Sequence, residues 1–593
     1  MGFRLIRLRL RRKLRLSEQK AKNISENTEQ GVEKYLFKRI GKLRQIKRFV
    51  FSWIILILIA IIATIGQNSL LSGYYQTLRP VPGGIYNEGV IGTFTTANPI
   101  YAVNNVDTTV SHLLFASLFK YNSSNQLVGE LASSYSVNSR GNVYTVHLKP
   151  NLRWQDGYPL TSKDVVYTYN LIENPNAQSP LFNSWQNVKV KTDGPLTITF
   201  TLPSALASFP YDMTNGILPE HLLQNVPADE MRSAPFNTTN PIGSGPFQWQ
   251  TISVSGNDPS NAEEQITMIP FNRYVLGKPK LQAFIVHSYA NKSRLINAFE
   301  AGQLNGAEGL NQIPPKIAKM PNLDVHNLIM TAGVYVFFKT SSGILANQTI
   351  RSALIQAVNI PSIISTLGYP THQVNEPLLE GQLGYNPAFK EPSYNLTAAK
   401  NLLTQAGWIP GPNGIRINKG QLLQFNLTIS NSSEYLKVAK QLRRYWAILG
   451  AKVNLIIEDP SDFSNILQNH IYEAVLYGIS IGVDPDVYVY WDGSQAQANS
   501  IDQLNLSEWN NPNANVSLEE GRTNLNPSIR VAKYRHLLES WQHDLPALGL
   551  YQPRSLYLTN GPVFGLNSSV INSSSGRLNN VQNWEINEAD VTN

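Results

Sequence analysis

Phe49 to Gly66, FVFSWIILILIAIIATIG, runs for 18 residues without a charged side chain. At about 1.5 Å per residue, a helix of that length just spans a hydrocarbon core of roughly 30 Å, so the run predicts a transmembrane helix. It divides the chain into two parts that face different solvents. Lys42, Arg44, Lys47 and Arg48 lie just before it, and the first basic residue after it is Arg79. That asymmetry places the N-terminus in the cytoplasm and everything beyond about Gln67 outside. A cleaved signal peptide is the competing reading. It would need a charged leader nearly 50 residues long, and no A-x-A site follows the apolar run.

The division also explains the charge. The 593 residues carry 49 Lys and Arg against 41 Asp and Glu, yet residues 1–48 alone hold 16 basic and 4 acidic side chains. The remainder holds 33 basic against 37 acidic and is mildly acidic, so the basic balance belongs to a short arm and nucleic acid is not an expected partner. The arm could lie on anionic lipid at about 1 kcal/mol per basic residue, touch a cytoplasmic partner, or only set the orientation. A chain this long exceeds one core and predicts two or three lobes, and 42% hydrophobic with 15% charged residues describes a globular protein. There is no cysteine. Disulfides, thiolate zinc sites, a thiol nucleophile and a lipid-modified cysteine are all excluded.

The most specific local signal is Leu152 to Tyr169, LRWQDGYPLTSKDVVYTY. Tyr144 to Leu148 alternates at period two and predicts a strand, Asp156-Gly157 is a turn dipeptide, and Thr161 with Asp164 forms a capping box ahead of Val165, Val166, Tyr169 and Ile172 at helical spacing. A second marked stretch is Asn240-Pro-Ile-Gly-Ser-Gly-Pro-Phe247, where two glycines and two prolines forbid regular structure. No G-K-[ST] follows, so it is not a phosphate loop. Further on, predicted helices and strands alternate. Leu396 to Ala406 is helical, Phe425 to Ile429 a strand, Tyr435 to Leu449 a helix stopped by Gly450, Lys452 to Ile457 a strand, Asp462 to Gln468 a helix and Glu473 to Tyr477 a strand. Such alternation predicts an α/β lobe with its sheet covered on both sides. Phe209 to Leu223 reads as a helix interrupted by proline, and 67–82 as an irregular polar tether.

The run W-x-D-G-x-P-L-T-x-x-D-V-x-Y-T from Trp154, the octet at 240–247, Phe271-Asn-Arg-Tyr274 with Gly277-Lys-Pro279, and Asp484-Pro-Asp486 with Trp491 occur in the order found in one family. They resemble the extracytoplasmic solute-binding proteins of peptide- and nickel-type ABC importers, solute-binding protein family 5. The resemblance implies an α/β, two-lobed periplasmic-binding-protein-like fold with an extra subdomain and a hinged cleft, here preceded by one transmembrane helix. Ahead of that fold, the charge and hydropathy of the chain place a basic arm at 1–48, an anchor at 49–66 and a tether at 67–82. Lobe I would comprise 83–120, 238–333 and 546–593, with the subdomain at 121–237 inserted in it and lobe II at 334–545. The resemblance further implies capture of an oligopeptide or similar small solute without chemistry or cofactor, and delivery to a permease driven by a cytoplasmic ATPase. A membrane-anchored receptor of the same fold, uncoupled from transport, is the alternative.

By the same resemblance the cleft would be lined by Asn98 and Tyr101 from the first loop and by Asp484, Asp486, Tyr488 and Trp491 from the last lobe. Peptide-binding relatives place an acid three positions before the first Asp of D-P-D to hold a free amino group. This chain has Ile481 there. Gly478-Ile-Ser480-Ile-Gly482 also satisfies G-x-S-x-G, the pattern of a serine hydrolase elbow, but Pro485 so soon after the serine argues for a loop instead of the helix that elbow needs. The nine histidines show no metal-binding pair, and His536 and His543 read as surface residues of a helix.

Overall fold

The computed structural model describes residues 47–256, 262–498 and 504–592; the basic arm through residue 46 lies outside the described residues. The chain divides into two compact units, and the first holds an N-terminal helix, Lys47–Tyr75, with the chain on to Arg79 and the C-terminal stretch from Glu588; strand Gln76–Val81 pairs with strand Asn587–Thr592. Phe49–Gln67 within that helix is long and apolar enough to cross a membrane. Helix continues through Tyr75 and strand follows, where the sequence suggested an irregular tether.

The second unit, Pro80–Asn587, is built on two large sheets. An eight-stranded sheet runs, in spatial order, Val570–Ile571, Leu323–Met330, Arg554–Asn560, Gly306–Glu308, Ile85–Ile91, Ala283–Tyr289, Glu263–Pro270 and Phe247–Ser255. A five-stranded sheet runs Lys452–Glu458, Gln424–Ser430, Ala474–Ser480, Ala332–Phe338 and Ala547–Tyr551. Every residue of Ala332–Phe338 is buried, because alternate side chains feed two different cores. Val334, Val336 and Phe338 pack with Leu427, Leu442 and Trp446, whereas Tyr335 and Phe337 pack with Trp491, Trp509 and Trp541. Both faces of this sheet are covered, as the helix-strand alternation predicts. Helix Ser433–Leu449 buries Ala439, Leu442, Trp446 and Leu449 on one face and ends where Gly450 turns left-handed at φ 100°.

The chain passes between the sheets twice, through Thr331 and through Gln552-Pro553. The crossings lie side by side. Met330 N donates to Pro553 O at 2.9 Å, and the Gln552 side-chain amide donates to Met330 O at 3.1 Å.

A four-stranded antiparallel sheet of Ala132–Val137, Val143–Leu148, Thr197–Thr201 and Lys189–Thr192 forms the subdomain on the eight-stranded side, and its apolar residues merge into the same core. Helix Ser162–Glu173 starts with the expected capping box. Lys163 N donates to Thr161 Oγ1 at 3.3 Å and Thr161 N to Asp164 Oδ2 at 2.8 Å. The predicted helix at 209–223 exists only as two short turns, Phe209–Asp212 and Glu220–Leu223, since Pro219 leaves the segment between them without a continuous ladder.

Gln155, in the turn before that capping box, holds the 240–247 loop. Its Oε1 accepts from Gly243 N at 2.9 Å and its Nε2 donates to Phe247 O at 2.6 Å and to Leu114 O at 3.2 Å. Gly243 lies so close to the end of helix Asn105–Leu114 that an added Cβ would stand 1.8 Å from Leu114 O. Gly243→Ala is therefore expected to destabilise the fold by about 1–3 kcal/mol or more, read as a lowered thermal unfolding midpoint. An unchanged midpoint would contradict this close packing.

Candidate functional site

Strand Ala474–Ser480 ends beside the first crossing, where Ile481 N and Gly482 N both donate to Thr331 O, at 3.0 and 2.9 Å. The chain then turns through Asp484-Pro-Asp486. Arg530 grips Asp484 with two hydrogen bonds of 2.9 and 2.6 Å, both side chains being almost fully buried. Burial works against the Arg530 charge, but the Asp484 carboxylate more than offsets it and holds the guanidinium above its ordinary range. Asp486 is engaged as well. Arg522 approaches it at 3.3 Å, and Ser208 of the inserted subdomain donates to it at 3.0 Å. Ala207 N adds a bond to Arg522 O at 2.8 Å, and the Arg522 guanidinium covers the Tyr488 ring at 4.3 Å. Asp484, Asp486 and Tyr488 thus sit together where the subdomain meets the five-stranded lobe.

The other expected cleft residues lie inside the protein. Trp491 has no exposed surface and is stacked on Phe337 at 5.6 Å. Asn98 is fully buried, its amide donating to Asn237 Oδ1 at 3.0 Å. The buried Tyr101 donates its hydroxyl to Ala177 O at 2.7 Å. These three side chains are taken up by packing and by partners within the chain.

Between the two large sheets lies a cavity of about 600 Å³, lined on one side by Glu308, Gly309 and Arg554 and on the other by Ser430, Glu434 and Tyr435. Its volume falls in the range of about 300–1,000 Å³ common for small-ligand sites. Glu434 accepts from the Tyr369 hydroxyl at 3.1 Å and the Tyr551 hydroxyl at 2.8 Å. Arg554 lies over the Tyr369 ring at 4.1 Å and donates to Asn327. A second cavity of about 350 Å³, lined by His112, Ser117, Lys120, Tyr121 and Glu130, shares Asn572 and Ser573 with the first. Burial opposes the Glu130 charge there, yet Lys120, Tyr274 and Ser117 together hold its carboxyl below the ordinary carboxylate range. None of the six residues expected from the sequence lines either cavity. Glu308, Glu434 and Arg554 were not singled out, since each becomes a cavity residue only through contacts distant in sequence.

The family model for the middle region of bacterial extracellular solute-binding proteins, family 5, matches residues 126–500. The chain belongs to that family. The oligopeptide-binding protein AppA of Bacillus subtilis is 24% identical to it over 539 residues, covering 87% of this chain and 94% of AppA. Among solved structures, NikZ from Campylobacter jejuni in complex with Ni(L-His) is similar with a TM-score of 0.70 and 21% identity, over 84% of this chain and 99% of NikZ. The Bacillus subtilis AppA complex with a nonapeptide gives 0.66 and 22%, over 86% and 100%. As a family 5 protein the chain is a solute-binding protein of the peptide ABC importer class, with the two-lobed fold of that family.

In this family 5 protein Ser480 is the last residue of its strand and no helix begins at it. Gly482 turns at φ 81°, and the next helical turn starts only at Tyr488. The strand-turn-helix elbow of a serine hydrolase is therefore not formed at Ser480.

Removing one member of a buried ion pair leaves an uncompensated charge, so Arg530→Met is expected to cost about 3–5 kcal/mol. The double variant Arg530→Met, Asp484→Leu should recover most of that loss. Thermal unfolding of the three proteins checks this; equal losses in the single and double variants would contradict it.

Proposed function

We propose that this chain is the membrane-anchored, extracytoplasmic capture subunit of an ABC importer. It holds an oligopeptide or similar small solute in the cavity between its two large sheets and delivers it to a permease coupled to a cytoplasmic ATPase. Residues 49–66 anchor it, with the N-terminus in the cytoplasm. The observation that carries this reading is the cavity itself. Its walls come from both lobes, and it adjoins the two crossings about which one lobe can rotate on the other, so occupancy and closure are mechanically linked.

The lining supports a polar solute. Asn105, Asn311, Ser430, Ser432, Ser555 and Asn572 supply hydrogen-bond donors and acceptors around the rim of charged groups. Water can fill the space between such groups and a ligand side chain, so recognition of a backbone need not fix the side chains. The nonapeptide of the AppA complex and the Ni(L-His) of the NikZ complex are two of the solutes this fold accommodates in relatives.

Native mass spectrometry of the full chain in detergent micelles tests the reading. Peptides of mixed sequence co-purifying with the protein, released on unfolding, are expected. A single non-peptide mass, or a protein that takes up no added peptide, would contradict peptide capture. Co-isolation of a permease and an ATPase with the same preparation tests the delivery step.

A further inference from the structure

The five-stranded sheet ends on one side at strand Lys452–Glu458, which pairs in parallel with Gln424–Ser430 and has no strand on its other side among the described residues. An open edge of this kind offers a row of unpaired backbone N–H and C=O groups to another chain, and proteins usually blunt it with a proline, a bulge or a charge in mid-strand. Lys452-Val-Asn-Leu-Ile-Ile-Glu458 has none of these. Its register with the neighbouring strand is unbroken, and its only charges stand at the two ends. Ile456 and Ile457 point to opposite faces of the sheet and are 36% and 46% exposed, so both faces stay open along this edge.

The two ends of the strand carry opposite charge. At its start the exposed Arg443, Arg444 and Lys452 line a surface cavity of about 380 Å³. At its end stand Glu458, Asp459 and Asp462, the last two exposed. None of these six side chains makes an ion pair among the described residues. Like charges gathered in this way repel, and within one chain nothing offsets them. A second copy of the strand, turned end for end, lays its acidic end on the basic end of the first. In antiparallel register centred on Leu455, Lys452 faces Glu458 of the second copy, Val453 faces Ile457, Asn454 faces Ile456, and Leu455 faces Leu455. One face then carries only apolar pairs, which extend the core where Val453 and Leu455 already pack. The other face closes at each end on a Lys–Glu pair. Any slip of register parts Lys452 from Glu458.

We propose that strand Lys452–Glu458 is a self-association edge, through which two copies of this chain join their five-stranded sheets into one continuous sheet about a two-fold axis at Leu455. Gln424–Ser430 and Ala474–Ser480 stand between this edge and Ala332–Phe338, the strand that follows the first crossing, so the pairing makes no use of the crossings between the lobes. It is also independent of which solute the cavity holds.

Sedimentation velocity of the full chain in detergent micelles tests it, together with oxidation of a Leu455→Cys variant, whose new thiol is the only one in the chain. The natural protein is expected to dimerise reversibly. Lys452→Glu or Glu458→Lys alone sets like charges opposite one another at both ends of the pairing, and each is expected to weaken the dimer about tenfold. The double variant restores opposite charges in exchanged places and is expected to recover the dimer. Opposed residues of an antiparallel pair lie within reach of a disulfide, so Leu455→Cys should link two chains under mild oxidation, whereas the exposed Lys163→Cys should not. A natural protein that stays monomeric up to its solubility limit overturns the proposal. So does a dimer whose strength neither charge reversal alters, since its contact then lies elsewhere. A Leu455→Cys chain that links no faster than Lys163→Cys overturns it as well.

Discussion

The two lobes are joined by two short passages of chain that hydrogen-bond to one another, Thr331 and Gln552-Pro553, and the cavity between the large sheets lies beside them. Met330 and Arg554, on either side of these passages, both line the cavity. Thr331 is also where the last lobe is pinned, because its carbonyl receives the Ile481 and Gly482 amides and its hydroxyl donates to Asn572. A rotation of one lobe on the other must be absorbed in these few residues, and it alters the width of the cavity beside them. Pro553 has a preset φ and no N–H to offer the ladder, which suits a residue that lies between two sheets and belongs to neither.

The inserted subdomain matters for a different reason. Through Gln155 and the 240–247 loop it is fastened to the end of helix Asn105–Leu114, and through Ser208 and Ala207 it reaches the five-stranded lobe at Asp486 and Arg522. The subdomain is thus rigid with one lobe and in polar contact with the other. Polar contacts of this kind can be exchanged for water at modest net cost. The close approach of Gly243 to the Leu114 backbone leaves no such room for water.

Much of this fold is written locally. The capping box at Thr161, the left-handed stop at Gly450 and the apolar face of Ser433–Leu449 were legible because each depends on residues within one or two turns. The broken segment at 209–223 was harder to read, since two short turns and a long helix share the same apolar spacing. The site was the least legible. Asp484 reads as a carboxylate ready for a ligand, and nothing near it in sequence announces that Arg530, 46 positions on, closes over it. Trp491, expected by the resemblance to line the cleft, is packed in the core between Phe337 and Trp541. Glu308 carried no local signal, and only the fold reveals that it is buried at the end of a short strand with an oxygen unpartnered among the described residues.

The proposed capture requires closure of the two lobes about an occupied cavity. Because the chain has no cysteine of its own, spin labels can be placed at two chosen positions. Lys163→Cys in the subdomain and Lys440→Cys in the five-stranded lobe are both exposed. The distance between them in the full chain, measured by double electron-electron resonance before and after adding the peptides that co-purify with it, is the most direct test. A shift from a broad distribution to a single shorter distance is predicted. A distribution that peptide leaves unchanged would contradict capture by closure.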